Sequence, residues 1–253
     1  MGLFDKMKAE ALGRKAYGIH VAGNRLYDQD KTAEARAKHD EALALYEKAM
    51  KAGCTRVSVI MAYGVLLLRF GRFEEAKALF LKAETTPGIT KPEKLQLRIN
   101  FAICQWKLGQ LDSAISQLKI AIGEGETGML YGSLGYILIE KAIKTGDFTE
   151  AIAFNEKALD YDDEDGVILD NMGQLNLAMG NREKALEFFT KAHEAKPHQV
   201  DTLYYLARLA AEDGDRDKAL EYLESALDGN YSALCTTTRA QAQALKAELE
   251  KKG

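Results

Sequence analysis

The sequence predicts an all-α chain organised as a solenoid of repeated helix pairs, and three observations predict it. The first is a triplet, small–large–small at spacings of four and then three residues, that recurs at a near-constant interval. The second is a glycine five residues ahead of nearly every triplet. The third is composition: 3 prolines in 253 residues and 47% hydrophobic content place the chain among folded, helix-rich sequences rather than disordered ones.

The stretch NREKALEFFTKAHEAKP, residues 181–197, shows the unit clearly, with Ala185, Phe189 and Ala192 on one helical stripe and Pro197 as the breaker. The same triplet occurs at Ala76, Phe80, Ala83; at Ala114, Leu118, Ala121; at Ala151, Asn155, Ala158; and at Ala219, Leu223, Ala226. A looser first copy is Ala42, Tyr46, Ala49. Leading alanines are separated by 34, 38, 37, 34 and 34 residues. Gly71, Gly109, Gly146, Gly180 and Gly214 stand five ahead of five of the six. Each glycine ends one helix, a second follows within a few residues, and the pair forms a helical hairpin. The small residues let a neighbouring helix come close while the large one fills the space they leave.

Taken in order, residues 1–15 predict a flanking helix, with Leu3, Phe4 and Met7 on one face expected to pack against the first repeat, the alternative being a membrane-surface anchor. Gly2 does not read as a myristoylation site, because Lys6 occupies the position that wants Ser or Thr. No apolar signal region and no run of about 18 apolar residues occurs. Residues 16–233 hold six repeats. In the first, Gly23 precedes Ala42 by 19 residues where the unit expects 12, so extra helical turns or a loop at Asp28–Lys31 absorb the surplus. After the second copy, Thr90 with Glu93 predicts a capping box. In the fourth, Gly135 lies sixteen ahead of Ala151, about one turn too many. Asn155 replaces the large residue there and either packs loosely or uses its amide. Residues 236–253 predict a capping helix with a seam of Ala242, Leu245 and Leu249, begun by a threonine.

These features resemble the tetratricopeptide repeat across roughly residues 16–233. Residues 166–199 reproduce its pattern through Leu169, Met172-Gly173, Gly180, Ala185, Phe189, Ala192 and Pro197. Residues 57–90 do so through Ile60, Tyr63-Gly64, Gly71, Phe73, Ala76, Phe80 and Ala83. The resemblance implies a right-handed α–α superhelix of antiparallel helix pairs, with the first helix of each pair lining a concave groove.

Chemistry is sparse. No HExxH, G-x-S-x-G, phosphate-binding lysine loop or dinucleotide-binding glycine pattern occurs. Cysteines 54, 104 and 235 form no CxxC pair, and Cys104 sits in an apolar stretch as a core residue. His193 and His198 are separated by Pro197 and have no acidic or thiol partner, so the four histidines read as surface or capping residues and no metal or cofactor is expected. The acidic run DYDDEDG at 160–166 puts Tyr161 where a calcium loop needs its first carboxylate, and reads instead as an inter-repeat loop whose acids favour the next helix N-terminus. A net charge of −4 argues against nucleic acid as a partner and gives no sign of an anionic membrane.

By the family's register, the groove candidates are Arg69, Asn100, Trp106 and Lys107, then Tyr136, then Asn171 and Gln174, then Tyr204, Tyr205 and Arg208. Asp170 and Asp201 also fall at inward positions. Asparagine amides can bond a peptide backbone without reading its sequence, and aromatic and arginine side chains dominate interface energies. The alternative for Trp106, Tyr204 and Tyr205 is packing between helices. The chaperone-tail clamp of some relatives is not expected, because Met61, Val65, Ile99 and Ile103 stand where its lysine and asparagine would. The sequence therefore predicts a cytoplasmic, non-catalytic protein-interaction scaffold, monomeric or weakly dimeric, holding a partner's peptide or helix in the groove. Its rivals are a regulatory peptide sensor acting on a separate effector and a structural homo-oligomer.

Overall fold

Alanines seven apart place two small contacts on one stripe of a helix, and a neighbouring backbone comes closest where it too is small. The computed structural model, which describes residues 3–27, 29 and 31–251, shows this contact in pair after pair. Thirteen helices and no strand occur among the described residues. The chain divides into two compact units, Met1–Gln117 and Leu118–Gly253.

The first unit contains α1 (Leu3–Tyr27), α2 (Thr32–Lys51), α3 (Val57–Arg69), α4 (Phe73–Glu84) and α5 (Lys91–Lys107). Helix α6 (Leu111–Glu124) runs across the division. The second unit contains α7 (Gly128–Thr145), α8 (Thr149–Tyr161), α9 (Gly166–Ala178), α10 (Arg182–Ala195), α11 (Val200–Glu212), α12 (Arg216–Asp228) and α13 (Arg239–Lys251).

In the second pair a Cβ built on Gly64 of α3 would lie 2.5 Å from the Phe80 ring of α4. In α9 a Cβ on Gly173 would lie 2.6 Å from the Phe189 ring of α10. Only glycine allows this approach, and the flanking alanines of both triplets are wholly buried. Gly180, just past α9, has φ +82°, the left-handed conformation that turns the chain toward α10. Ala192 has no exposed surface, so Ala192→Leu should overpack the helix pair and cost about 1–3 kcal/mol in urea unfolding. An unchanged midpoint would mean that the repeat register is wrong.

The first repeat corrects the sequence reading. A Cβ on Gly23 would meet the His39 ring at 2.5 Å, so His39 takes the place of Phe80 and Phe189. The leading triplet is therefore Ala35, His39, Ala42, and Gly23 precedes Ala35 by the expected 12 residues. Ala42, Tyr46 and Ala49 form a second triplet two turns further along the same long helix, and all three are fully buried. The surplus length is helical, carried by the 25 residues of α1 and the 20 of α2. Asp28 and Asp30 of the expected loop lie outside the described residues, as do Gly2 and residues 252–253.

The helix expected at residues 1–15 is the first part of α1, which continues through residue 15 without a break. Ala9 and Ala16 are fully buried, and Gly13 abuts Val59 of α3. This small-residue stripe keeps the helix against its neighbours. The packing expected for Phe4 and Met7 is also corrected: both are exposed.

Elsewhere the local expectations hold. Thr90 and Glu93 form the reciprocal capping box of α5. The extra turn of the fourth repeat lies in the 18-residue α7, which keeps its Gly135–Asn155 contact. Asn155 uses its amide, donating to the carbonyls of Ala151 at 2.8 Å and Gly135 at 3.3 Å. In the acidic loop Asp165 caps α9, accepting from the Val167 and Ile168 amides at 2.7 and 3.1 Å. Thr238 begins α13 in a reciprocal pair with Gln241, and Ala242 and Leu249 are buried with Leu245 packed beside them.

Candidate interaction surface

The first helix of each pair presents one stripe to its own partner helix and another to the adjacent repeats. In the first unit, Arg69 at the end of α3 is half-buried with its guanidinium 4.8 Å from the Tyr27 ring centroid. Asn100 on α5 accepts from the Gln96 amide at 3.3 Å. Trp106 is only 7% exposed, and the Lys107 ammonium lies 3.8 Å from its ring centroid. Trp106 is therefore largely packed, with a cation over its ring.

The second unit gathers more. On α9, Asn171 is buried and donates to the Gly132 carbonyl of α7 at 2.8 Å. Gln174, also buried, donates to Asp170 Oδ2 at 2.6 Å. Both amides are thus engaged inside the helix stack, a correction to their reading as open peptide contacts. The physical reason lies in α7: Gly132 has no side chain, so α9 comes close enough for Asn171 to reach its carbonyl. Thr202 of α11 donates to Asp170 Oδ1 at 2.7 Å. Asp201 of α11 accepts the backbone amides of Thr236 and Thr237, the latter at 2.6 Å, and so ties the segment entering α13 to the last repeat.

Burial raises both carboxyls above the usual carboxylate range; the Asp201 charge adds to the rise for Asp170, and the Thr236 and Thr237 amides oppose it for Asp201. Asp170 and Asp201 are thus a buried acidic pair between α9 and α11. Around it stand Tyr136 of α7 and Tyr205 of α11, whose phenols burial pushes up, with both aspartates adding to the effect. Tyr205 stacks on Phe189 at 5.1 Å between centroids, and Tyr204 meets Tyr205 edge-on at 5.6 Å. The Arg208 guanidinium lies 5.8 Å from the Tyr205 ring and 3.8 Å from the Glu212 carboxylate. Tyr136, Tyr204, Tyr205 and Arg208 are all half-buried, each with part of its side chain at the surface.

Other reactive groups are occupied in packing. The Cys104 Sγ donates to the Phe73 carbonyl at 3.2 Å, and burial pushes its thiol up to about 11. His20 and His39 overturn the expectation of surface histidines: both are buried, with rings 5.3 Å apart in a T-shaped contact. No group of three His, Cys, Asp or Glu side chains able to hold a metal occurs among the described residues.

Comparison with known proteins follows the geometry. Profiles of the tetratricopeptide repeat match residues 9–53 and 176–249, the first taking in the long α1–α2 pair and the second the stretch from α9 to α13. This is a tetratricopeptide-repeat protein. Over 112 residues the chain is 32% identical to BBSome complex member BBS4 of Bos taurus. That stretch is 44% of this chain and 20% of the relative, so the chain spans about a fifth of the length of the curated relative it matches. A thermophilic tetratricopeptide-repeat protein of Thermus thermophilus superposes with a TM-score of 0.62 at 19% identity, covering 78% of this chain and all of that one. A tetratricopeptide-repeat protein of Parabacteroides merdae gives 0.58 at 15% identity, covering 91% and 86%. At these identities the structural likeness concerns the fold.

Proposed function

We propose that this tetratricopeptide-repeat protein is a non-catalytic, cytoplasmic interaction scaffold that holds a peptide segment or helix of a protein partner on the first-helix face of its second unit. The observation that carries the reading is the cluster of Tyr136, Tyr204, Tyr205 and Arg208 around the buried Asp170–Asp201 pair. Rigid tyrosine rings and an arginine, partly buried and partly open, offer apolar area with polar ends at little cost in side-chain entropy. The repeat fold supports protein partners in general. Arg69, Asn100 and Lys107 are the corresponding candidates on the first unit. Free thiols at all three cysteines fit a reducing compartment.

The test is affinity capture from native extract with wild type, with Tyr204→Ala/Arg208→Ala, and with Lys184→Ala/Lys191→Ala on the outer face of α10. Loss of about tenfold or more in retention is expected for the first variant, the scale of one interface hot spot, and none for the second. Equal retention by all three would remove this surface from consideration.

A further inference from the structure

Helix α1 has two faces of opposite character. At about 100° per residue, Ala9, Gly13, Ala16, His20 and Gly23 share one side and pack inward. Phe4, Met7, Ala11 and Gly18 share the other. Phe4 is 72% exposed and Met7 61%, and a Cβ on Gly18 would have nothing within 4 Å. A phenylalanine and a methionine at adjacent turns of one stripe form an apolar patch that the repeat leaves open. Exposed Lys8 and Lys15 border the stripe on one side and exposed Arg14 on the other. The Lys8 ammonium lies 5.5 Å from the Phe4 ring centroid. Of the two acids on the same stretch, Asp5 lies off the stripe and Glu10 pairs with Arg56 at 3.4 Å. This half of the helix is therefore basic although the whole chain carries −4.

We propose that the outer face of α1 lies on an anionic lipid surface, with Phe4 and Met7 entering the headgroup boundary and Lys8, Arg14 and Lys15 contacting lipid phosphates. Lysine and arginine stems reach outward from such a stripe to place their charge among headgroups. Charge complementarity supports the occupant: an apolar strip edged with cations fits a negatively charged bilayer, whose interface takes up the apolar side chains and the cations together. A helix lying in the interface needs no spanning segment, and no described helix is long and apolar enough to cross a membrane. The inner stripe makes the packing of α1 against the repeat, which leaves the outer stripe available without disturbing it. The inference does not rest on peptide binding by the second unit.

Sedimentation of the full chain with vesicles tests it, using phosphatidylcholine alone and phosphatidylcholine mixed with phosphatidylglycerol. Binding to the anionic vesicles is expected, weaker by about tenfold or more on phosphatidylcholine alone and at high salt. Phe4→Ser/Met7→Ser and Lys8→Glu/Lys15→Glu should each reduce it by about tenfold or more, with helical content unchanged because all four side chains are exposed. Equal binding to both vesicle types, wild-type binding by either double variant, or no binding to the anionic vesicles would overturn the proposal. Absent vesicle binding with a protein lost from the Phe4→Ser/Met7→Ser variant would assign the stripe to a protein partner instead.

Discussion

Lowering the pH from 7 to 5 is expected to destabilise the first repeat by about 4 kcal/mol, about 2 kcal/mol from each of His20 and His39. Both imidazoles are pulled down to about 4 from the usual 6.5. Burial is the first cause for each; His39 and Arg69 add to it for His20, and Arg69 and Arg36 for His39, with a hydrogen bond to the His20 backbone and then Asp40 opposing. The groups packed around the pair are Asn24 and Tyr27 of α1, Arg36, Asp40 and Tyr46 of α2, and Arg69 of α3.

The unfolded chain takes up these protons near pH 6.5, whereas the folded one resists until about pH 4. Stability from this source is therefore complete above pH 6.5, falls as the pH drops through that value, and is lost below about 4. Trp106 is the only tryptophan and lies in the first unit, so its fluorescence reports this transition. The gap between urea midpoints at pH 7 and 5 should shrink to roughly half in His39→Phe, which restores the ring type found at Phe80 and Phe189. A midpoint in wild type that does not move between pH 7 and 5 would contradict the buried neutral pair.

Phe189→Ala should be the most damaging truncation in the second unit, costing about 3–5 kcal/mol in urea unfolding followed by circular dichroism. The ring is fully buried among Ala185, Leu206 and Leu209 and fills the space above Gly173. Its loss leaves a cavity that the small neighbours cannot close, and it removes the stacking partner of Tyr205. Phe189→Leu, which keeps most of the volume, should cost much less. Equal effects from both would mean that the ring's volume is not what sets the spacing of α9 and α10.

The periodic part of the fold was legible because its cause is local. A glycine twelve ahead of an alanine, with a large residue four further on, specifies a close helix crossing by size alone. The first repeat was misread because α2 carries the triplet twice and the true knob is a histidine, a residue that reads as polar although its neutral ring packs like an aromatic. The continuity of α1 was hidden for a related reason: Ala9, Gly13 and Ala16 give no hydrophobic signal, yet they make the contact.

The site was legible as a set of positions and not as a set of bonds. Asp170 and Asp201 fell at inward positions, but their partners Thr202, Thr236 and Thr237 lie more than thirty residues away in sequence, and no local pattern joins them. Asn171 and Gln174 look available in a linear reading. The Gly132 carbonyl of α7 and the buried carboxyl of Asp170 claim them.

Site-specific photocrosslinking tests the central claim most directly. A photoreactive side chain placed at Tyr204 of α11, and in parallel at exposed Lys184 on α10, is irradiated in native extract. The account predicts a discrete adduct from position 204, reduced by Arg208→Ala, and none from position 184. An adduct from position 184 with none from 204 would contradict it and move the partner to the outer helices.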